Sequence, residues 1–224
     1  MKIVIFGATG MVGQGALRES LRDPGVQSVL SIVRTASGRQ QQKLREITHQ
    51  DFLDFTSLEN ELQGLDACLF CLGVSSAGMT EAAYARVSCE FTIAAAKMLL
   101  RLNPGISFVY VSGAGTDSTE RGRLMWARVK GKTENALLAM PFRAAYMFRP
   151  GLIQPLDGIT SKTASYRVLY KLTSPLLTLA RGFCPQYVTT TEELGLAMLA
   201  AAERGTEKRV VEAQQIRGLL QSLS

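Results

Sequence analysis

The chain of 224 residues has one histidine, His49, so a catalytic dyad or metal centre built on several histidines is excluded. It has only four cysteines, Cys68, Cys71, Cys89 and Cys184, too few and too apolar in setting to form a disulfide framework. Cys68 and Cys71 do make a C-x-x-C inside the run Leu65–Leu72. That run reads as a buried strand, where residues three apart point to opposite faces, so reduced core thiols are expected and no metal. Long apolar runs are also missing. Residues 164–183 come nearest, but Arg167, Lys171, Pro175 and Arg181 interrupt them, so no transmembrane helix is expected. The first residues resemble a secretory signal only superficially, because four apolar residues meet Gly7 at once. The expectation is a soluble, cytoplasmic protein. Net charge is +6, yet no basic run with interleaved aromatics exists, so nucleic acid is not an expected partner. A mild positive field suits an anionic small molecule.

What is present is alternation. Short apolar runs at 2–6, 27–33, 46–49, 65–72, 106–112 and 142–148 read as strands. Between them, helical patterns fall at 11–22, 38–45, 56–62, 80–102 and 122–139. The longest has Thr80 as N-cap, Ala83, Val87, Phe91, Ala95, Met98 and Leu102 on one face, and a breaker at Asn103-Pro104-Gly105. This order predicts an α/β fold, a Rossmann-type doubly wound parallel sheet. After Arg149-Pro150-Gly151 the rhythm changes, to helices near 161–180 and Thr191–Arg204, a strand at 209–212 and a frayed tail. One domain is expected, with a cofactor-binding core over 1–150 and a small cap over 151–224.

The first strand runs directly into Gly7-Ala8-Thr9-Gly10-Met11-Val12-Gly13, and a helix follows. Strand, glycine turn and helix in that order aim backbone N–H groups and a positive helix end at a pyrophosphate. Gly7, Thr9, Gly10, Met11 and Val12 are therefore candidate cofactor contacts. The second strand ends in Arg34, with Arg39 and Lys43 beyond and no acid nearby. An NAD site would place a carboxylate there for the ribose hydroxyl, whereas a guanidinium accepts a 2′-phosphate. NADP(H) is the expected cofactor.

The G-x-x-G-x-x-G spacing resembles that of extended and atypical short-chain dehydrogenase/reductases, and further segments share the register over residues 1–155. The resemblance implies that Asp51 and Phe52 meet the adenine, and that Leu72, Gly73 and Val74 back the cofactor. It implies that Ser112, closing Val109-Tyr-Val-Ser112, is the catalytic serine, and that Pro150 and Leu152 lie near the nicotinamide. The family's Tyr-x-x-x-Lys falls on Trp126-Ala-Arg-Val-Lys130, so the lysine is present and the phenol is not. Indole cannot transfer a proton near neutral pH. The family's helix asparagine is replaced by Ser88. The pattern is similar to NmrA-like and sugar-nucleotide-epimerase-like members. It implies catalytic roles for Ser112 and Lys130, with Lys130 also on the nicotinamide ribose. Tyr110 is an alternative source of a phenol. The implied functions are an NADP(H)-dependent oxidoreductase on a small carbonyl substrate, or a non-catalytic NADP(H)-sensing regulator with a protein partner. A sugar-nucleotide epimerase ranks third, and no membrane partner is expected.

Overall fold

The computed structural model describes residues 1–156 and 188–221. Seven parallel strands form the main sheet: β1 (Lys2–Phe6), β2 (Ser28–Val33), β3 (Leu44–Thr48), β4 (Ala67–Phe70), β5 (Ser107–Val111), β6 (Ala144–Arg149) and a last strand at Val210–Glu212. Numbered in chain order that last strand is β9, because Leu152–Gln154 (β7) and Val188–Thr190 (β8) pair with each other as a separate parallel ribbon. The order across the sheet is β3-β2-β1-β4-β5-β6-β9. The direction of winding reverses between β1 and β4. A crevice opens at such a switch point beyond the carboxyl ends of the strands.

Alternation along each strand feeds two cores. Ile3 and Ile5 of β1 face α1 (Met11–Arg22) and a C-terminal helix at Thr191–Arg204, which supplies Leu194, Ala197 and Met198. Val4 and Phe6 face the opposite side, with Phe52, Phe55, Leu99 and Leu137. Phe6, Phe70 and Phe108 line up across neighbouring strands, with ring centroids 5.2 and 5.9 Å apart. Cys68 lies in the second core and Cys71 packs against the first, so the two thiols do point to opposite sides of the sheet. Burial pushes the Cys71 thiol up to about 12.

Several elements differ from expectation. No helix forms over 38–45. Gly38 has a φ of +73°, the Lys43 carbonyl already accepts from Val29 N at 2.8 Å, and Leu44 starts the edge strand. The ladder with β2 therefore wins over the helical propensity of the glutamine run. The helix expected at 56–62 is a single 3-10 turn, Thr56–Leu58, set by Asp54 Oδ1 accepting from Thr56 N at 2.8 Å. The long helix is present, with Thr80 as its N-cap, but it has three parts: α2 (Glu81–Ala85), a π-helical turn (Arg86–Glu90) and α3 (Phe91–Leu102). The widened turn leaves the Ser88 carbonyl to accept from Thr92, Thr133 and Tyr110 hydroxyls at 3.0, 3.4 and 3.5 Å. α4 begins at Met125 rather than 122 and ends at Ala139.

Helix α5 (Thr191–Arg204) starts with a capping box, Thr190 with Glu193. The expected frayed tail is instead α6 (Ala213–Gln221), whose Ile216, Leu219 and Leu220 close over the first core. The helix expected near 161–180 lies outside the described residues, as does Cys184.

Candidate nucleotide-binding site

The crevice at the switch point has a volume of about 650 Å³. Its floor is the loop between β1 and α1. Gly7 has a φ of +79°, and a Cβ there would sit 2.6 Å from Leu72 N. At Gly13 a Cβ would lie 2.1 Å from the Gly7 carbonyl oxygen. Both positions need glycine because the loop folds back on β4 and on itself. Gly10 caps α1 with no side-chain hydrogen bond, so the amides of the first turn have no local side-chain acceptor. No acidic residue stands in that first turn. This is an anion cradle made of backbone.

The structure brings Gly7, Thr9, Gly10, Met11, Arg34, Phe52, Leu72, Gly73 and Val74 together around this crevice. It adds Ile32, Val33, Thr35, Gln50, Cys71 and Ser75, which the sequence did not single out. Gln50 was legible in principle, since it lies next to Asp51 at the end of β3; its side chain donates to the Arg34 carbonyl at 2.7 Å and ties the two strand ends. Phe52 is buried among Phe6, Phe55 and Phe91.

Val12 and Asp51 lie beside the crevice rather than in its lining. Val12 packs toward the first core, on the inner side of α1. Asp51 accepts from Leu53 N at 3.0 Å, so its carboxylate shapes the turn after β3. Pro150 is buried and its carbonyl accepts from Ala114 N at 2.9 Å, while Leu152 is exposed on β7.

Ser112 and Lys130 come together at the end of β5. The Lys130 ammonium donates to the carbonyls of Ser112 and Val111 at 2.5 and 3.3 Å, and lies 5.8 Å from the Tyr110 ring centroid. Burial pushes Lys130 down to about 8, with the Glu134 carboxylate acting in the opposite sense. The Ser112 hydroxyl lies 2.5 Å from Glu134 Oε1 and 3.0 Å from the Phe148 carbonyl. Glu134 is 1% exposed, and Arg149 grips both of its oxygens, at 3.0 and 2.5 Å. Arg149 also reaches Glu212 at 3.0 Å and Ser118 at 2.6 Å.

Trp126 stands one turn before Lys130, packed toward Gly115 and Val129. The Tyr110 phenol is no substitute proton donor, because burial drives its pKa far above the usual range.

A parallel doubly wound sheet with a glycine cradle at its switch point defines an NAD(P)-binding Rossmann protein. Residues 3–120 match the NAD dependent epimerase/dehydratase family, and the chain belongs to that family, as an atypical member of the extended short-chain dehydrogenase/reductase group. It is similar to protein fmp52-1, mitochondrial, of Aspergillus terreus, at 28% identity over 157 residues, 67% of this chain and 66% of that protein. The chain thus matches just under two thirds of that relative's length. With protein fmp52-2, mitochondrial, of Aspergillus oryzae, identity is 25% over 213 residues, covering 91% and 87% of the two chains.

Among solved structures, UDP-N-acetylglucosamine 4-epimerase from Methanobrevibacter ruminantium superposes with a TM-score of 0.69 at 15% identity, over 94% of this chain and 75% of that one. The dTDP-glucose 4,6-dehydratase DesIV of Streptomyces venezuelae gives 0.68 at 15% identity, over 100% and 81%. These likenesses show the fold. The names of the Aspergillus relatives overturn the expected cytoplasmic location. A missing secretory-type apolar run has no bearing on organellar addresses, which are basic and amphipathic.

Proposed function

We propose that this chain binds NADP(H), and that it works as a cofactor-responsive regulator rather than as a tyrosine-dependent carbonyl reductase. The observation that carries the cofactor assignment is Arg34. Its side chain is exposed at the crevice wall beside Thr35, and among the described residues it has no ion-pair partner and no carboxylate lines the crevice. A guanidinium there can hold a 2′-phosphate with two hydrogen bonds, where an NAD-selective site would present an acid. The glycine cradle fits the pyrophosphate, and Phe52, Leu72 and Val74 offer apolar walls to the adenosine half.

When bound, NADP(H) supplies hydride chemistry at its nicotinamide. Among the described residues, those at that end do not assemble a proton relay. The proton of Ser112 is taken by Glu134 or by the Phe148 carbonyl, so the hydroxyl has no donor left for an oxyanion. Trp126 has no transferable proton, and Tyr110 is sealed in the core. An oxidoreductase acting on a small carbonyl is the second reading. Lys130 favours it, since a pKa near 8 lets an ammonium give up a proton close to neutral pH.

NADPH is expected to bind at least about tenfold more tightly than NADH, and Arg34→Asp to invert the order. Calorimetric titration with both cofactors decides this, and equal affinities in the native protein would overturn the assignment. Brisk NADPH oxidation against small ketones or quinones would favour the oxidoreductase.

A further inference from the structure

The inner face of α4 holds Ser112 from two sides. Lys130 bonds the Ser112 carbonyl and Glu134, one helical turn later, takes its hydroxyl. Residues four apart on a helix are neighbours, so two opposite charges straddle a single residue at the end of β5. α4 is pressed close enough for this by Gly131, where a Cβ would lie 1.8 Å from the Asp117 carbonyl oxygen. Behind Glu134, Arg149 from β6 fixes the carboxylate with two bonds and is itself tied to Glu212 of β9.

We propose that Glu134 is a positioning residue for Lys130: it fixes the backbone carbonyl on which the ammonium rests, and its negative charge keeps that ammonium charged at the end of β5. The link deepens the cofactor assignment and rests on it, in that Lys130 is taken to face the bound dinucleotide.

Among the described residues, the groups around Lys130 leave Glu134 as the one carboxylate able to do this. From β5 come Tyr110 and the carbonyls of Val111 and Ser112. Tyr84 and Cys89, of the helical segment 81–90, act on Tyr110, and the Tyr84 and Tyr110 phenols are both raised by burial and so stay neutral. Arg149 and Glu212 stand beyond Glu134, and Glu134 is the charged group that acts on Lys130. A charged Lys130 attracts an anionic cofactor, so affinity is full below about 8 and declines as pH rises through it. Removing the Glu134 charge leaves desolvation unopposed, and the decline starts at lower pH.

The test follows the Lys130 side chain by NMR of protein labelled at the lysine Cε, its signal identified by loss in Lys130→Met. NADPH affinity is measured over the same pH range. In the native protein the signal is expected to titrate near 8, with NADPH binding weakening across the same midpoint. In Glu134→Gln both midpoints move to lower pH, and affinity at pH 8 falls by at least about threefold. Glu134→Gln leaves Arg149 without its buried charge partner, so the paired variant Glu134→Gln/Arg149→Met serves if the single one does not fold; a smaller shift in the same direction is expected there, because the more distant Arg149 cation goes with the carboxylate. Lys130→Met should show a flat binding profile. An unmoved Lys130 midpoint in both Glu134 variants overturns the proposal, since a merely structural brace would leave it in place. A midpoint that moves while NADPH binding ignores it upholds the Glu134–Lys130 link and overturns the contact between Lys130 and the cofactor.

Discussion

Gly13→Ala is expected to abolish dinucleotide binding and to lower the unfolding free energy by about 3 kcal/mol, at the upper end of overpacking costs. A methyl group at 13 would lie 2.1 Å from the Gly7 carbonyl oxygen and 2.8 Å from the Ala8 Cα. Neither obstacle is a flexible side-chain tip; both are backbone. The loop would have to lift away from α1, and the lift misdirects the amides that face the pyrophosphate. Gly7 cannot accommodate the change, because it is pinned at φ +79° against the Leu72 backbone. Cofactor titration and urea melts of the same preparation check both parts. Native-like affinity in the variant would mean that the glycine turn is not the phosphate cradle.

Glu134→Ala has the second large expected effect, a loss of about 3–5 kcal/mol, the range found when one partner of a buried ion pair is removed. Arg149 is 11% exposed and would keep its charge with only Glu212, itself 47% exposed, as a carboxylate partner. For a chain of this size that loss lowers the melting temperature by roughly 6–20 °C. The double variant Glu134→Ala/Arg149→Met should recover much of it, because the stranded charge has gone. Thermal and urea melts of both variants decide it; a single variant as stable as the native protein would show that the pair bears no strain in the fold.

The cofactor half of the crevice was legible because its signals are local. Gly7, Gly10 and Gly13 sit within seven consecutive residues, and Arg34 closes a strand whose apolar run is plain. The cluster around Ser112, which lies outside the crevice lining, was not. Ser112, Glu134 and Arg149 are scattered over the chain, and only the paired strands β5 and β6 beside α4 bring them together. The resemblance marks Ser112 as the catalytic serine, whereas its hydroxyl is engaged by a glutamate that no spacing marks. Among the elements, the stretch 38–45 shows why the region after β2 misled: its glutamine run suits a helix, but no helix forms there and the edge strand, expected from 46, already takes Leu44 and Arg45. The strand expected at 209–212 is present as β9, whereas α6 was under-read because its nine residues are too few for periodicity to speak.

The packing of α1 carries a consequence for biosynthesis. α1 and α5 meet where neither carries a side chain: a Cβ on Gly15 would lie 2.4 Å from the Thr191 carbonyl oxygen, and one on Gly195 3.0 Å from the Gly15 carbonyl oxygen. Leu17 and Ala16 share their core with Leu194, Ala197 and Met198. The helix that presents the phosphate loop is made well before the helix that backs it. At ribosomal rates of about 5–20 residues per second, the stretch between them takes roughly 10–35 s to synthesise. Through that interval the apolar flank of α1 has β1 and β2 but not α5 to pack against, and the nascent loop lacks that part of the backing against which to grip a dinucleotide. Cofactor capture therefore follows completion of α5 and cannot guide the early steps of folding.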